Sequence, residues 1–290
     1  MRKISLLILL ALLVGLVGCS APQATSEVIA TTKPVYDFTS RLCDGTDISV
    51  GLLINESVSC LHDYALSVDQ ARKAEAAKVI VTSGAGLEDF MADLLSGCDT
   101  VIDSSVGIPL LECTEKHDHD HDHHHEEDAH IWLAPENAKI MAKNICYGLC
   151  SAYPQYSDVL QANLAKLQTA FDTLQAYGES TLGTLSCRKL VTFHDGFGYL
   201  AHAFDLTIVA AIEEESGSEA SAKELIGLID LVQQHHIPAI FAEINGSISA
   251  PGIISAETGV SVHLLDMGMG SGDYFKIMRH NIDTLKEALG

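Results

Sequence analysis

The chain has 290 residues, enough for one large domain or two ordinary ones. With 47% apolar and 19% charged residues it can bury a sizeable core and is not disordered as a whole. Lys and Arg total 17 against 39 Asp and Glu, a formal charge of −22, which argues against a nucleic-acid binder and against docking on an anionic membrane through a basic patch.

Met1-Arg2-Lys3 is a short positive segment, followed by an apolar run from Ile4 to Val17. That run is shorter than the about 20 residues of a membrane span and has the length and flanks of a secretory leader. Leu16-Val17-Gly18-Cys19 resembles the lipobox of bacterial lipoproteins. The resemblance implies a leader over 1–18, a lipid on Cys19, a small polar tether over 19–27, and an extracytoplasmic chain anchored to the bacterial cell membrane. Cys43, Cys60, Cys98, Cys113, Cys146, Cys150 and Cys187 remain, an odd number that leaves at least one unpaired. No CxxC pair occurs, so no thiolate zinc site is signalled. Cys146 and Cys150 share a helix face but are poorly placed to bridge.

From Val28 onward, predicted strands and helices alternate. Strands are expected at 28–32, 48–54, 78–82 and 100–103, and helices at 35–42, 67–77 and 88–96. Gly84-Ala85-Gly86 begins like a dinucleotide-binding loop, but Asp89 stands where the third Gly belongs, so it reads as an ordinary strand-to-helix turn. Pro135 starts a helix through Cys150, and Pro154 starts a second whose apolar spacing runs to Leu182. A second series follows, with strands at 189–193, 206–211, 239–243 and 260–265. The expected fold is α/β: two similar lobes, 28–153 and 184–290, each a mainly parallel sheet flanked by helices, joined by one long rigid helix over 154–183.

Fourteen histidines are the outlier of the composition. His117, His119, His121, His123, His124 and His125 alternate with Asp inside an acidic stretch, 115–128, too polar to pack. Such a tract contacts a borderline metal such as zinc without imposing one geometry, which needs ligands on rigid elements. His62, His130 and His194 lie at, or just beyond, the carboxyl ends of strands, where open α/β sheets bind ligands. His202, His235, His236, His263 and His280 are assigned packing or surface roles.

Here a family resemblance becomes specific. His62-Asp63-Tyr64, the segment from His130 through Trp132-Leu133-Ala134-Pro135-Glu136-Asn137 to Ala138, and Phe193-His194-Asp195-Gly196-Phe197-Gly198 resemble three signatures of zinc-binding (ZnuA/TroA-like) solute-binding proteins. Glu219–Leu225, Glu257–Val260, Leu264-Leu265-Asp266 and Met278–Leu285 follow in the same order. The resemblance implies that His62, His130 and His194 ligate one Zn2+ between the lobes, with Asp266 or water in the fourth position. It further implies capture of Zn2+ as transported ligand, and delivery to an ABC transporter permease with its cytoplasmic ATPase, by a monomer that makes and breaks no bond. Leu61 stands where some zinc members have Glu, and Glu243, at another strand end with room to face the cleft, is not expected among the ligands. Three imidazoles and one oxygen suit tetrahedral zinc, whereas manganese prefers more oxygen.

Two other classes compete. A zinc hydrolase or lyase also uses three His and an open position, but His125-Glu126 precedes His130 by one residue too many for H-E-x-x-H. A surface zinc store or adhesin would rely on the 117–125 tract rather than on the cleft.

Overall fold

A computed structural model describes residues 26–56, 61, 64–112, 127–211 and 221–290. The leader, Cys19, His62 and the 117–125 tract lie outside the described residues.

The first sheet is built from β1 (Val28–Ala30), β2 (Val50–Leu52), β3 (Val79–Thr82) and β4 (Val101–Asp103), in the order β2-β1-β3-β4 and parallel throughout. Its central strands β1 and β3 are buried along their whole length, as strands covered on both faces must be. Helices α1 (Lys33–Leu42), α2 (Val68–Glu75) and the short α3 (Ala92–Ser96) connect them. Pro34 pre-sets the first turn of α1, and Ser67 with Gln70 closes a reciprocal capping box on α2.

Helix α4 (Pro135–Ala152) leads through a 3-10 turn, Pro154–Tyr156, into α5 (Ser157–Leu182). At 26 residues α5 is about 39 Å long. Its buried stripe includes Leu160, Leu164, Leu167, Phe171, Leu174 and Leu182. Gly178 lies on that stripe because a Cβ there would stand 2.1 Å from the Phe204 ring.

The second sheet comprises β5 (Lys189–Thr192), β6 (Thr207–Ala211), β7 (Ala239–Glu243) and β8 (Ser261–Leu265), ordered β6-β5-β7-β8 and again parallel. Helices α6 (Gly198–Ala203), α7 (Ala222–Gln234), α8 (Ser249–Thr258) and α9 (Tyr274–Leu289) complete it. The expected architecture of two parallel α/β lobes joined by a long helix is therefore the observed one. Among the described residues, no helix is long and apolar enough to cross a membrane.

One expected helix is broken. Between 84 and 96 the chain makes a loop, a 3-10 turn at Asp89–Met91 and only then α3. Gly84, Ala85 and Gly86 all have left-handed backbones, with φ of 82°, 55° and 80°. The loop folds around Glu88, whose buried carboxyl accepts from Thr31 Oγ1 at 2.6 Å and from the Ser83 and Gly84 N–H groups at 2.8 and 3.0 Å. Burial pushes Glu88 up to about 7, against the pull of those three donors.

The two lobes also meet directly. Phe38 of α1, Phe171 of α5 and Tyr274 of α9 form an edge-to-face cluster with centroids 4.9–5.8 Å apart. Beside it, Lys33 donates to the Gly272 carbonyl, Arg41 pairs with Asp273, and Tyr274 N–H donates to Asp37.

Candidate metal centre

His130 opens the 3-10 turn Ile131–Leu133 that feeds α4, and it is buried. Its ring is fixed from behind. Asp128 Oδ1 accepts both the His130 backbone N–H and its Nδ1–H, each at 2.8 Å. A carboxylate holding Nδ1 leaves the Nε2 lone pair pointing away from it, the tautomer a metal ligand needs. Asp128 is itself placed by its backbone N–H, which donates to Leu111 O, and by the Glu112–Glu127 bridge beside it.

His194 follows β5 in the second lobe, and its Nε2 stands 3.4 Å from Nε2 of His130. Two ligands at zinc–nitrogen bond length, separated by a tetrahedral angle, stand about 3.3–3.4 Å apart. The rings cross at 85° with centroids 5.1 Å apart, so both nitrogens converge without stacking. This approach depends on Gly196. A Cβ there would lie 2.6 Å from His194 Cδ2, 2.6 Å from Met267 Cε and 2.8 Å from His130 Nδ1. Gly198 similarly admits Asp128 Oδ2, which a Cβ would meet at 2.8 Å.

Asp266 follows β8 at the same end of the second sheet. Asn281 of α9 pins its backbone from both sides, accepting from Asp266 N–H at 2.9 Å and donating to Asp266 O at 2.8 Å. Its Oδ1 accepts the Gly268 N–H at 2.7 Å. Glu243 ends β7 nearby and is 4% exposed. Burial first, and then the Asp266 charge, push its carboxyl up to about 8.

The structure thus brings His130 and His194 together. Among the described residues, no three His, Cys, Asp or Glu side chains are grouped closely enough to hold a metal ion. Asp266 stands at the carboxyl end of β8 and forms no such group with the pair. His202 lies on α6, His263 on β8 and His280 on α9, and His235 caps α7. Sequence reasoning did not single out Asp128, Trp132, Gly196 or Asn281. The Asp-x-His spacing was a usable signal for Asp128, because ligating imidazoles are routinely held by a carboxylate.

Across the cleft, Trp132 is fully buried and donates its indole N–H to Met267 O at 2.7 Å, while Tyr274 OH donates to Trp132 O at 2.7 Å. On the other flank, Leu111 N–H donates to Tyr199 OH at 2.9 Å.

Comparison with known proteins agrees with this frame. The chain is 30% identical over 309 residues to the zinc-binding lipoprotein AdcA of Streptococcus pneumoniae (strain ATCC BAA-255 / R6), covering 99% of this chain and 61% of the relative. It therefore spans less than two thirds of that protein. Among solved structures, ZnuA superposes with a TM-score of 0.78 at 26% identity, covering 91% of this chain and 99% of that one. A deletion mutant of ZnuA with zinc bound gives the same TM-score and identity, covering 92% and 98%. The family model for the zinc-uptake complex component A periplasmic proteins matches residues 28–288, and the chain belongs to that ZnuA family of metal-uptake solute-binding proteins.

Proposed function

We propose that this chain captures Zn2+ outside the cytoplasm and delivers it to the membrane permease of an ABC importer. The observation that carries the reading is the convergence of His130 and His194 Nε2, from different lobes, at a separation suited to two ligands of one tetrahedral ion. His62 and Asp266 complete the set in this reading, with Asp128 fixing His130 and Glu243 a buried neighbour rather than a ligand. Zinc is the cargo, and no bond is made or broken. Cys19 carries the lipid that keeps the protein at the membrane, and the 117–125 tract is an auxiliary zinc contact. The lobe boundaries proposed are 28–153 and 184–290. The similarity to the zinc-binding lipoprotein AdcA and to the zinc-bound ZnuA deletion mutant supports the choice of ion.

The test is competitive zinc and manganese titration of the protein from Ser20 onward, comparing wild type, a 117–125 deletion and a His62→Ala/His130→Ala/His194→Ala variant. One tight zinc-preferring site that survives the deletion and disappears in the triple variant is expected. Tight binding that disappears with the tract and survives the triple variant overturns the reading in favour of a surface store.

A further inference from the structure

Trp132 lies two residues after His130, and Met267 directly follows Asp266. The Trp132 indole joins the two segments. Its N–H reaches the Met267 carbonyl at 2.7 Å, within an environment where the ring is fully buried. Tyr274, also buried, donates its hydroxyl to the Trp132 carbonyl at 2.7 Å, so the turn is held from the second lobe twice. The His130 and Trp132 rings meet edge to face with centroids 5.4 Å apart. A hydrogen bond sealed from water has no solvent competitor, and leaving either partner unmatched costs the full desolvation penalty. This buried bond, with the Tyr274 bond to the same turn, therefore ties the His130 turn to the segment that follows Asp266.

That tie bears on which ion fits. Zinc accepts four ligands at short bonds, whereas manganese favours six with more oxygen. A cleft whose two halves are tied closely together favours the first over the second. Resting on the cleft reading above, we propose that Trp132 is a positioning residue for metal selectivity: its indole N–H, bonded to Met267 O, ties the His130 turn to the second lobe and so helps hold His130 and His194 Nε2 at their zinc-suited separation of 3.4 Å.

The chain contains one Trp, so biosynthetic replacement of tryptophan by its benzothiophene analogue removes the N–H at this position alone and keeps the ring's shape. The analogue protein is compared with wild type, Trp132→Phe and Tyr274→Phe for Zn2+ and Mn2+ affinity, for unfolding midpoint, and for the visible absorption of the Co2+-loaded form, which is intense only for tetrahedral cobalt. Zinc affinity is expected to fall about tenfold, in the range for residues that orient ligands, with manganese affinity nearly constant and the cobalt band weakened. A lowered unfolding midpoint with an unchanged zinc-to-manganese ratio and an unchanged cobalt band overturns the proposal and makes Trp132 a packing residue. His130→Ala separates the two levels. If it abolishes the cobalt band while the analogue leaves it intact, the indole's role is rejected and the cleft stands. If the band survives His130→Ala, the cleft reading itself falls and the Trp132 proposal with it.

Discussion

Asp128 illustrates how a side chain that touches no metal governs one that is placed to. Its single Oδ1 accepts from both the backbone and the ring of His130, so Asp128→Asn replaces a charge-assisted pair with a neutral amide and frees the imidazole to rotate. Zinc affinity is expected to drop about 10–100-fold, with little change in the unfolding midpoint of the zinc-free protein, as read by titration against a chromophoric chelator. Gly196→Ala acts sterically. Its Cβ collides with both imidazoles and with Met267, and overpacking of this kind costs about 1–3 kcal/mol. Urea unfolding should register that loss, and zinc binding should weaken because the rings separate. An unchanged midpoint and affinity would mean that the loop gives way freely. His194 was legible in the sequence because it sits where the parallel strand β5 ends. His130, expected at a strand end as well, opens a 3-10 turn just after the isolated antiparallel Glu112–Glu127 bridge and was legible from its motif instead. Gly196 and Met267 were not, since their role depends on two lobes meeting.

The loop around Glu88 shows why strands were easier to read than the turns between them. Period and β-branched content mark Val79–Thr82 as a buried strand whatever surrounds it, and β7 begins and ends as its residues suggest. The helix expected over 88–96 begins later, because Glu88 is drawn into the turn that precedes it. Glu88 turns inward because Thr31, Ser83 and Gly84 offer three donors at the ends of β1 and β3, a fact of tertiary assembly. This arrangement predicts a pH dependence. Glu88 binds its proton more tightly folded, near 7, than unfolded, near 4.5. Its stabilising contribution is therefore complete below about pH 4.5, declines as pH rises between the two values, and is gone above about 7. Glu88→Gln removes the titration. The stability difference between wild type and variant, from urea unfolding at several pH values, should shift against wild type from pH 5 to 7 by no more than about 3 kcal/mol. A difference independent of pH would show that Glu88 is ionised throughout.

Taken together, the lobes are bound by the α5 spine, by the Phe38, Phe171 and Tyr274 cluster, and by polar ties from α1 and Trp132 to the segment between β8 and α9. The cleft histidines belong to opposite lobes, so an ion held by both would add a tie between the same two bodies. A ligand that binds the folded chain and not the unfolded one stabilises it by about 2.7 kcal/mol at a hundredfold excess over Kd. Because that energy enters through both lobes, zinc should slow amide exchange in β5 and β7 as well as in β1 and β3. His194→Ala should remove the protection of the second sheet and most of that of the first. Ligation also requires unprotonated imidazole, so protection should fade as pH falls through the histidine range, near 6.5. Hydrogen exchange with and without zinc at pH 7.5 and 5.5 measures both effects. Protection confined to one sheet, or retained at pH 5.5, would mean that the ion is held by one lobe or by carboxylates, and the interlobe site would have to be given up.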